Sequence, residues 1–191
     1  VGMPDPVQAD TCTWQGGNGD WAVSTNWTCG RVPTESDDVV IPKVGEEPQG
    51  PQISYPAGAG GNTIYIAAGA KLTINGGTDG VSIYTVSNFT NDGEIIVNGN
   101  NDYGSGLQIN SSTFSNNGTV SINTGGINLV RGGTHVGDFV GAVQTVLAIG
   151  HSSWPGQTFT FTADSQIQVP IILVNGGPVV NIAGDFSPGM V

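Results

Sequence analysis

The segment "NFTNDGEIIV", which starts at Asn88, returns as "STFSNNGTVSI" from Ser112. Phe89, Asn91, Gly93, Ile95 and Val97 fall on Phe114, Asn116, Gly118, Val120 and Ile122, each shifted by 25 residues. The apolar members of both copies alternate, the period of a strand with one buried face. "GLQIN" precedes the second copy as "GVSIY" precedes the first, so the unit is longer than the phrase. It runs from Gly80 to Asn98 and from Gly106 to Asn123. "GINLV" followed by "GDFVGAVQTVLAI" reads as a third, degraded copy, with Phe139 again 25 residues after Phe114. Fixed periods of about 20–50 residues mark stacked architectures.

Two all-β arrangements compete. In a β-sandwich, Asp92-Gly93 and Asn117-Gly118 are tight hairpin turns. In a parallel β-helix, or β-solenoid, they are corners of successive coils, and matched residues stand about 4.8 Å apart. Only the second gives Phe89 and Phe114 a reason to share a register, Phe stacking on Phe and Asn amides forming a ladder. The expected fold class is therefore an all-β parallel β-helix, with the β-sandwich as the alternative. A coil cannot bury its inward side chains alone; the next coil must cover them. From Thr63 onward this makes about six coils of 20–25 residues, a rod about 30 Å long.

Composition agrees. Of 191 residues 31 are Gly and only 10 % are charged, while 37 % are hydrophobic, too apolar a chain for disorder. Net charge is −11, and Arg31, Lys43, Lys71 and Arg131 are the only basic residues. Phosphate backbones require cations to replace their counterions, which excludes nucleic acid as a partner and disfavours anionic membrane surfaces. No apolar run is long enough for a membrane-spanning helix, so no membrane insertion is expected. The chain opens at Val1, as expected of a mature product or an excised segment.

Three regions differ in texture. Residues 1–11, with Pro4 and Pro6, read as an extended arm. Residues 12–62 are a cap and connecting loop, with Trp14, Trp21 and Trp27 between Cys12 and Cys29. In a secreted chain those two cysteines pair, and the bond would stabilise by about 3 kcal/mol. "KVGEEPQGPQISYPAGAGGN" within this region reads as a surface loop. Residues 63–191 form the coils. The Trp-rich segment suits closure of the first end of the rod, and nothing after Phe186 resembles a second cap.

"CTWQGGNGDWAVSTNWTCGRVPTESDDVVIP" resembles the W-x-G…W…NW…G-x-P…D-x-V-x-I-P module that opens β-helical regions of large bacterial surface and secreted proteins. Trp14, Gly16, Trp21, Asn26, Trp27, Gly30, Pro33, Asp38, Val40, Ile41 and Pro42 stand at its positions. "FTNDGEIIV" and "FSNNGTVSI" are similar to coils of filamentous-haemagglutinin-like and autotransporter-like adhesins, and "GGTHVGDFVG" to a GG-x-H-x-G-x-F coil of the same proteins. The resemblance covers most of residues 12–142. It implies a right-handed β-helix, export to the cell surface or medium, and a structural or adhesive role. The paired cysteines are not general to that pattern.

Residues suited to chemistry are few. His135 lies inside a repeat and reads as packed, and two histidines do not make a zinc site. Asp37-Asp38 and Glu46-Glu47 are neighbours that a strand points to opposite faces, which does not make the facing acid pair of a glycosidase. No cofactor is expected, with calcium the one possibility: Asp92, Glu94 and Asp102 supply hard oxygen ligands near "NGNNDYG". Tyr65, Tyr84, Tyr103 and Trp154 would make a glycan-binding strip if they all face outward. The expectation is a non-enzymatic structural or adhesive extracellular segment that self-associates head to tail or joins a larger surface assembly. A carbohydrate-binding module is the alternative, and a polysaccharide lyase or hydrolase stands behind it.

Overall fold

The computed structural model describes residues 9–46, 49–100 and 106–187. Twenty short strands follow one another in these residues, and the only helical element is a 3-10 turn at Ser24–Asn26. The first five strands are β1 (Thr11–Thr13), β2 (Gly19–Asp20), β3 (Asp38–Ile41), β4 (Pro51–Ser54) and β5 (Ala59–Gly61). β6 (Thr63–Ile66), β7 (Lys71–Asn75), β8 (Val81–Asn91), β9 (Glu94–Asn98) and β10 (Gly106–Asn116) come next. Then follow β11 (Thr119–Thr124), β12 (Gly126–Leu129), β13 (Gly133–His135), β14 (Asp138–Gly141) and β15 (Val146–Ile149). β16 (Thr158–Phe161), β17 (Gln166–Gln168), β18 (Ile171–Val174), β19 (Val179–Ile182) and β20 (Asp185–Phe186) complete the series.

The ladders between these strands are parallel. That excludes the hairpin-built sandwich and makes the molecule a parallel β-solenoid. One face stacks eight strands in the order β2-β4-β7-β9-β11-β14-β17-β20, which is seven turns of the chain. The other sheet has twelve strands and wraps two faces, because β8 and β10 are 11 residues long and bend across the corner between them. A full coil therefore visits three faces. The first carries β1, β3, β6, the second halves of β8 and β10, β13, β16 and β19. The second is the eight-stranded sheet. The third carries β5, the first halves of β8 and β10, β12, β15 and β18.

Side chains on the inner face line up in columns. Ile64, Phe89 and Phe114 are register partners, and the two phenylalanine rings lie 5.1 Å apart. Leu72, Ile95, Val120, Phe139 and Ile167 form a second buried column, and Ile83, Ile109, Leu129 and Ile149 a third. Each such side chain removed from water contributes about 1.5–3 kcal/mol, and that burial exists only because the adjacent coil covers it.

The asparagines also stack. Asn91 Nδ2 donates to Asn116 Oδ1 at 2.7 Å and to the Thr119 carbonyl, and Asn116 Nδ2 donates to the Asp138 carbonyl one coil further on. Both are buried, so each amide ties a corner of its own coil to the backbone of the next. An outer ladder joins Asn75, Asn98 and Asn123. Gly93 and Gly118 serve space rather than an unusual backbone: neither has positive φ. A Cβ on Gly118 would come within 2.0 Å of the Gly93 carbonyl oxygen, and one on Gly137 within 1.9 Å of that of Gly118. These corners therefore cannot hold side chains on the stacking side.

Two sequence expectations need correction. Phe139 does not follow Phe114 in register; it pairs with Val120, and His135 occupies the column of Asn116. The corner that spans Asn98 to Gly106 in one coil spans only Thr124 to Gly126 in the next, which removes six residues. Gly125, at φ 74°, makes the tighter turn. The Pro- and Gly-rich stretch is also not a loop throughout. β4 and β5 lie in it as rungs of the solenoid, and Ile53 is fully buried. Pro51 stands first in β4, where a missing N–H is tolerated.

Candidate functional site

The two ends of the solenoid differ. At the first end, Trp14, Trp21 and Trp27 are buried, with ring centroids 5.0 Å and 4.6 Å apart in edge-to-face contacts. The Trp27 indole N–H donates to the Trp21 carbonyl and that of Trp14 to the Gly17 carbonyl, both at 2.8 Å, so neither of these two donors is stranded. Cys12 and Cys29 form a disulfide with Cα atoms 5.0 Å apart. The outer edge of β1 is closed by the returning chain: Thr28 N–H donates to the Thr13 carbonyl, and Gln15 N–H to that of Asn26. The buried Asp37 carboxylate accepts from Arg31, from the backbone and hydroxyl of Thr34 and from the Asp10 N–H. The Arg31 guanidinium holds that carboxylate well below the usual range. Its hydrogen bonds are saturated, the condition under which a buried charge is tolerated.

At the other end the columns run into solvent. Val174, Ile182 and Phe186 continue the columns of Ile149, Phe161 and Ile167, all of which are fully buried. In this last described coil they are 56 %, 43 % and 49 % exposed. Among the described residues no further coil covers these apolar side chains, as one covers the sets before them.

The residues singled out for chemistry are dispersed. His135 is buried between Phe114, Phe139 and Phe161, with ring centroids 4.8–5.5 Å away and no hydrogen-bond partner for either nitrogen. Burial lowers its pKa to about 3, which leaves a neutral ring in the core. Asp37 turns into the lid, whereas Asp38 accepts from Asn62 and Thr63. Asp92 accepts from Asn117 and from the Tyr65 hydroxyl, and Glu94 from Ser121. Among the described residues no three His, Cys, Asp or Glu side chains converge as a metal would require. Asp102, Tyr103, Glu47 and most of the arm 1–11 lie outside the described residues.

The aromatic strip does not form as one row. Tyr65 lies on the first face, held by Asp92, while Tyr84 lies on the third face beside Asn110. Trp154 belongs to the connection between β15 and β16, and there it meets a residue from the preceding coil. The Arg131 guanidinium carbon lies 4.0 Å from the centre of the Trp154 ring. Arg131 also lines a depression of about 260 Å3 together with Tyr84, Asn110 and Glu35. It forms no ion pair among the described residues, and its buried Nε has no hydrogen-bond partner. An open, hydroxyl-lined trough containing Ser112, Thr113, Thr134, Thr158 and Thr160 begins at the next residue, Gly132.

No curated protein and no solved structure matches the chain. One family does, over residues 13–134, from the tryptophan lid through the asparagine ladder to the coil of His135. The chain belongs to the family described as Domain of unknown function (DUF8693).

Proposed function

We propose that this chain is a non-enzymatic structural or adhesive segment of an extracellular bacterial surface protein, and that it works by joining further β-structure at its open coil. The observation that carries this reading is the contrast between the ends. One end is sealed by three tryptophans, a disulfide and a paired strand edge; the other presents Val174, Ile182 and Phe186 to solvent. Parallel strand edges with exposed apolar columns are templates for pairing, which natural sheets otherwise block. The disulfide supports an oxidising location. Among the described residues Asp38, Asp92 and Glu94 are dispersed and accept hydrogen bonds from neighbouring coils, which suits a framework role.

The lid occupies the edge that head-to-tail stacking would use. In the isolated chain the occupant is therefore the open coil of a second copy, meeting the first about a two-fold axis. Sedimentation equilibrium over a wide concentration range tests this. The parent chain is expected to dimerise, and Ile182→Lys, which places a charge in the joint, is expected to remain monomeric. A parent chain that stays monomeric at the highest concentrations overturns the reading.

A further inference from the structure

The geometry points to a glycan-binding site at the corner between the third and first faces, built from Arg131, Trp154, Tyr84 and Asn110 and selective for a sugar that carries a carboxylate. This inference does not depend on what covers the open coil.

Four observations carry it. First, Arg131 is an uncompensated cation on a chain of net charge −11, since neither ion pair among the described residues includes it. Its Nε is buried without an acceptor, so the guanidinium meets a ligand through its two Nη groups, which are not among the buried atoms. A carboxylate matches the planar fork of a guanidinium with two parallel hydrogen bonds. Second, the Trp154 ring fixes that guanidinium at 4.0 Å, so the fork is held in place before a ligand arrives. Third, Tyr84, which lines the depression, is 50 % exposed, and Trp154, which stacks on the Arg131 guanidinium, is 41 % exposed. Exposed aromatic faces next to polar groups suit a pyranose ring, which has an apolar face and a polar rim. Fourth, the trough that starts at Gly132 is lined by Ser, Thr, Gly and Gln and carries no charge. It offers hydroxyl contacts to a neutral sugar next to the acidic one.

The charge balance defines the ligand class further. Only one cation serves the corner, and Glu35 lines the same depression. A polyanion would be repelled by the rest of the surface. The fitting ligand is a largely neutral glycan with an isolated uronic acid.

Two-dimensional NMR tests this directly, because the Trp154 indole N–H and the Arg131 Nε–H each give a resolved signal at the site. D-glucuronate is expected to shift both signals saturably, whereas D-glucose and acetate at matched ionic strength are expected to leave them unmoved. Arg131→Gln should weaken glucuronate binding by about tenfold or more, the loss of a charge-assisted pair. Glu35→Gln, which removes a competing carboxylate without touching the platform, should tighten it. An equal response to acetate would mean an anion contact only, and an equal response to glucose no selectivity for the acid. Either result overturns the proposal. So does the absence of saturable shifts into the tens of millimolar, or binding unchanged in an Arg131→Gln chain that keeps the parent spectrum.

Discussion

His135 makes the core of this solenoid acid-sensitive in a way that can be worked out from its surroundings. The ring is fully buried among three phenylalanines, neither nitrogen has a partner, and burial lowers its pKa from 6.5 to about 3. An unfolded chain protonates a histidine at about pH 6.5. Above that value neither state takes up the proton, and the stability from burying a neutral ring is complete. As pH falls from 6.5 toward 3 the unfolded state gains a proton that the folded state refuses, and stability is lost at about 1.4 kcal/mol per pH unit. At pH 4.5 the loss attributable to this residue is about 2.7 kcal/mol. His135→Phe removes the titration and extends the column that already holds Phe161. Urea denaturation of both chains at pH 7 and pH 4.5 gives the comparison. The stability of the variant relative to the parent is expected to rise by about 2.7 kcal/mol between the two pH values, whatever its packing costs at pH 7. The carboxylates cancel in this difference, and Asp37, held low by Arg31, titrates in a more acid range. Parallel pH profiles for parent and variant would refute the reasoning.

Three further outcomes follow from the stacking. Gly118→Ala forces a Cβ to within 2.0 Å of the Gly93 carbonyl oxygen, a backbone atom that cannot swing away. It should cost about 3 kcal/mol in urea unfolding, the upper range for overpacking. Asn116→Ala takes the acceptor from Asn91 and the donor from the Asp138 carbonyl in a buried corner. A loss of about 2 kcal/mol is expected, with little change at pH extremes because neither amide titrates. Replacing Cys12 and Cys29 together by Ala opens a loop with a sequence separation of 17. The entropy of that loop predicts a loss of about 3 kcal/mol, read as a lower denaturation midpoint that matches the reduced parent.

Much of this fold is written in the chain at the scale of one coil. Phe89 and Phe114, Asn91 and Asn116, and Gly93 and Gly118 stand at one spacing because no residue is inserted or lost from Phe89 to Gly93 relative to Phe114 to Gly118. Sequence spacing and register part where corners change length. Phe139 kept the numerical spacing but lost the register, because the step from Thr124 to Gly126 is shorter than that from Asn98 to Gly106. The signal that survives is local: His135-Val136-Gly137 repeats the Asn116-Asn117-Gly118 corner, with Gly137 against the Gly118 carbonyl. β4 was hidden by its surroundings, since Gly50 and Pro51 read as loop formers. Yet Gly50 is there because a Cβ would lie 1.5 Å from the Lys71 carbonyl oxygen of the coil above. Arg131 and Trp154 are each conspicuous in the sequence, but their contact joins an irregular connection to the preceding coil, and no repeat predicts such a junction.

The central claim is that burial in this protein comes from the next coil in parallel register, and spin-label distances along one face test it most directly. Thr73, Ser121, Val140 and Gln168 lie on the second face, linked by register through Ile96. With one label at Thr73, a second at Ser121, Val140 or Gln168 is expected two, three or four strand spacings away, or about 10, 14 and 19 Å between backbones. Distances that climb by about one strand spacing per coil would support the account. Distances that fail to grow in that order, or that place Gln168 nearer to Thr73 than Ser121 is, would contradict it.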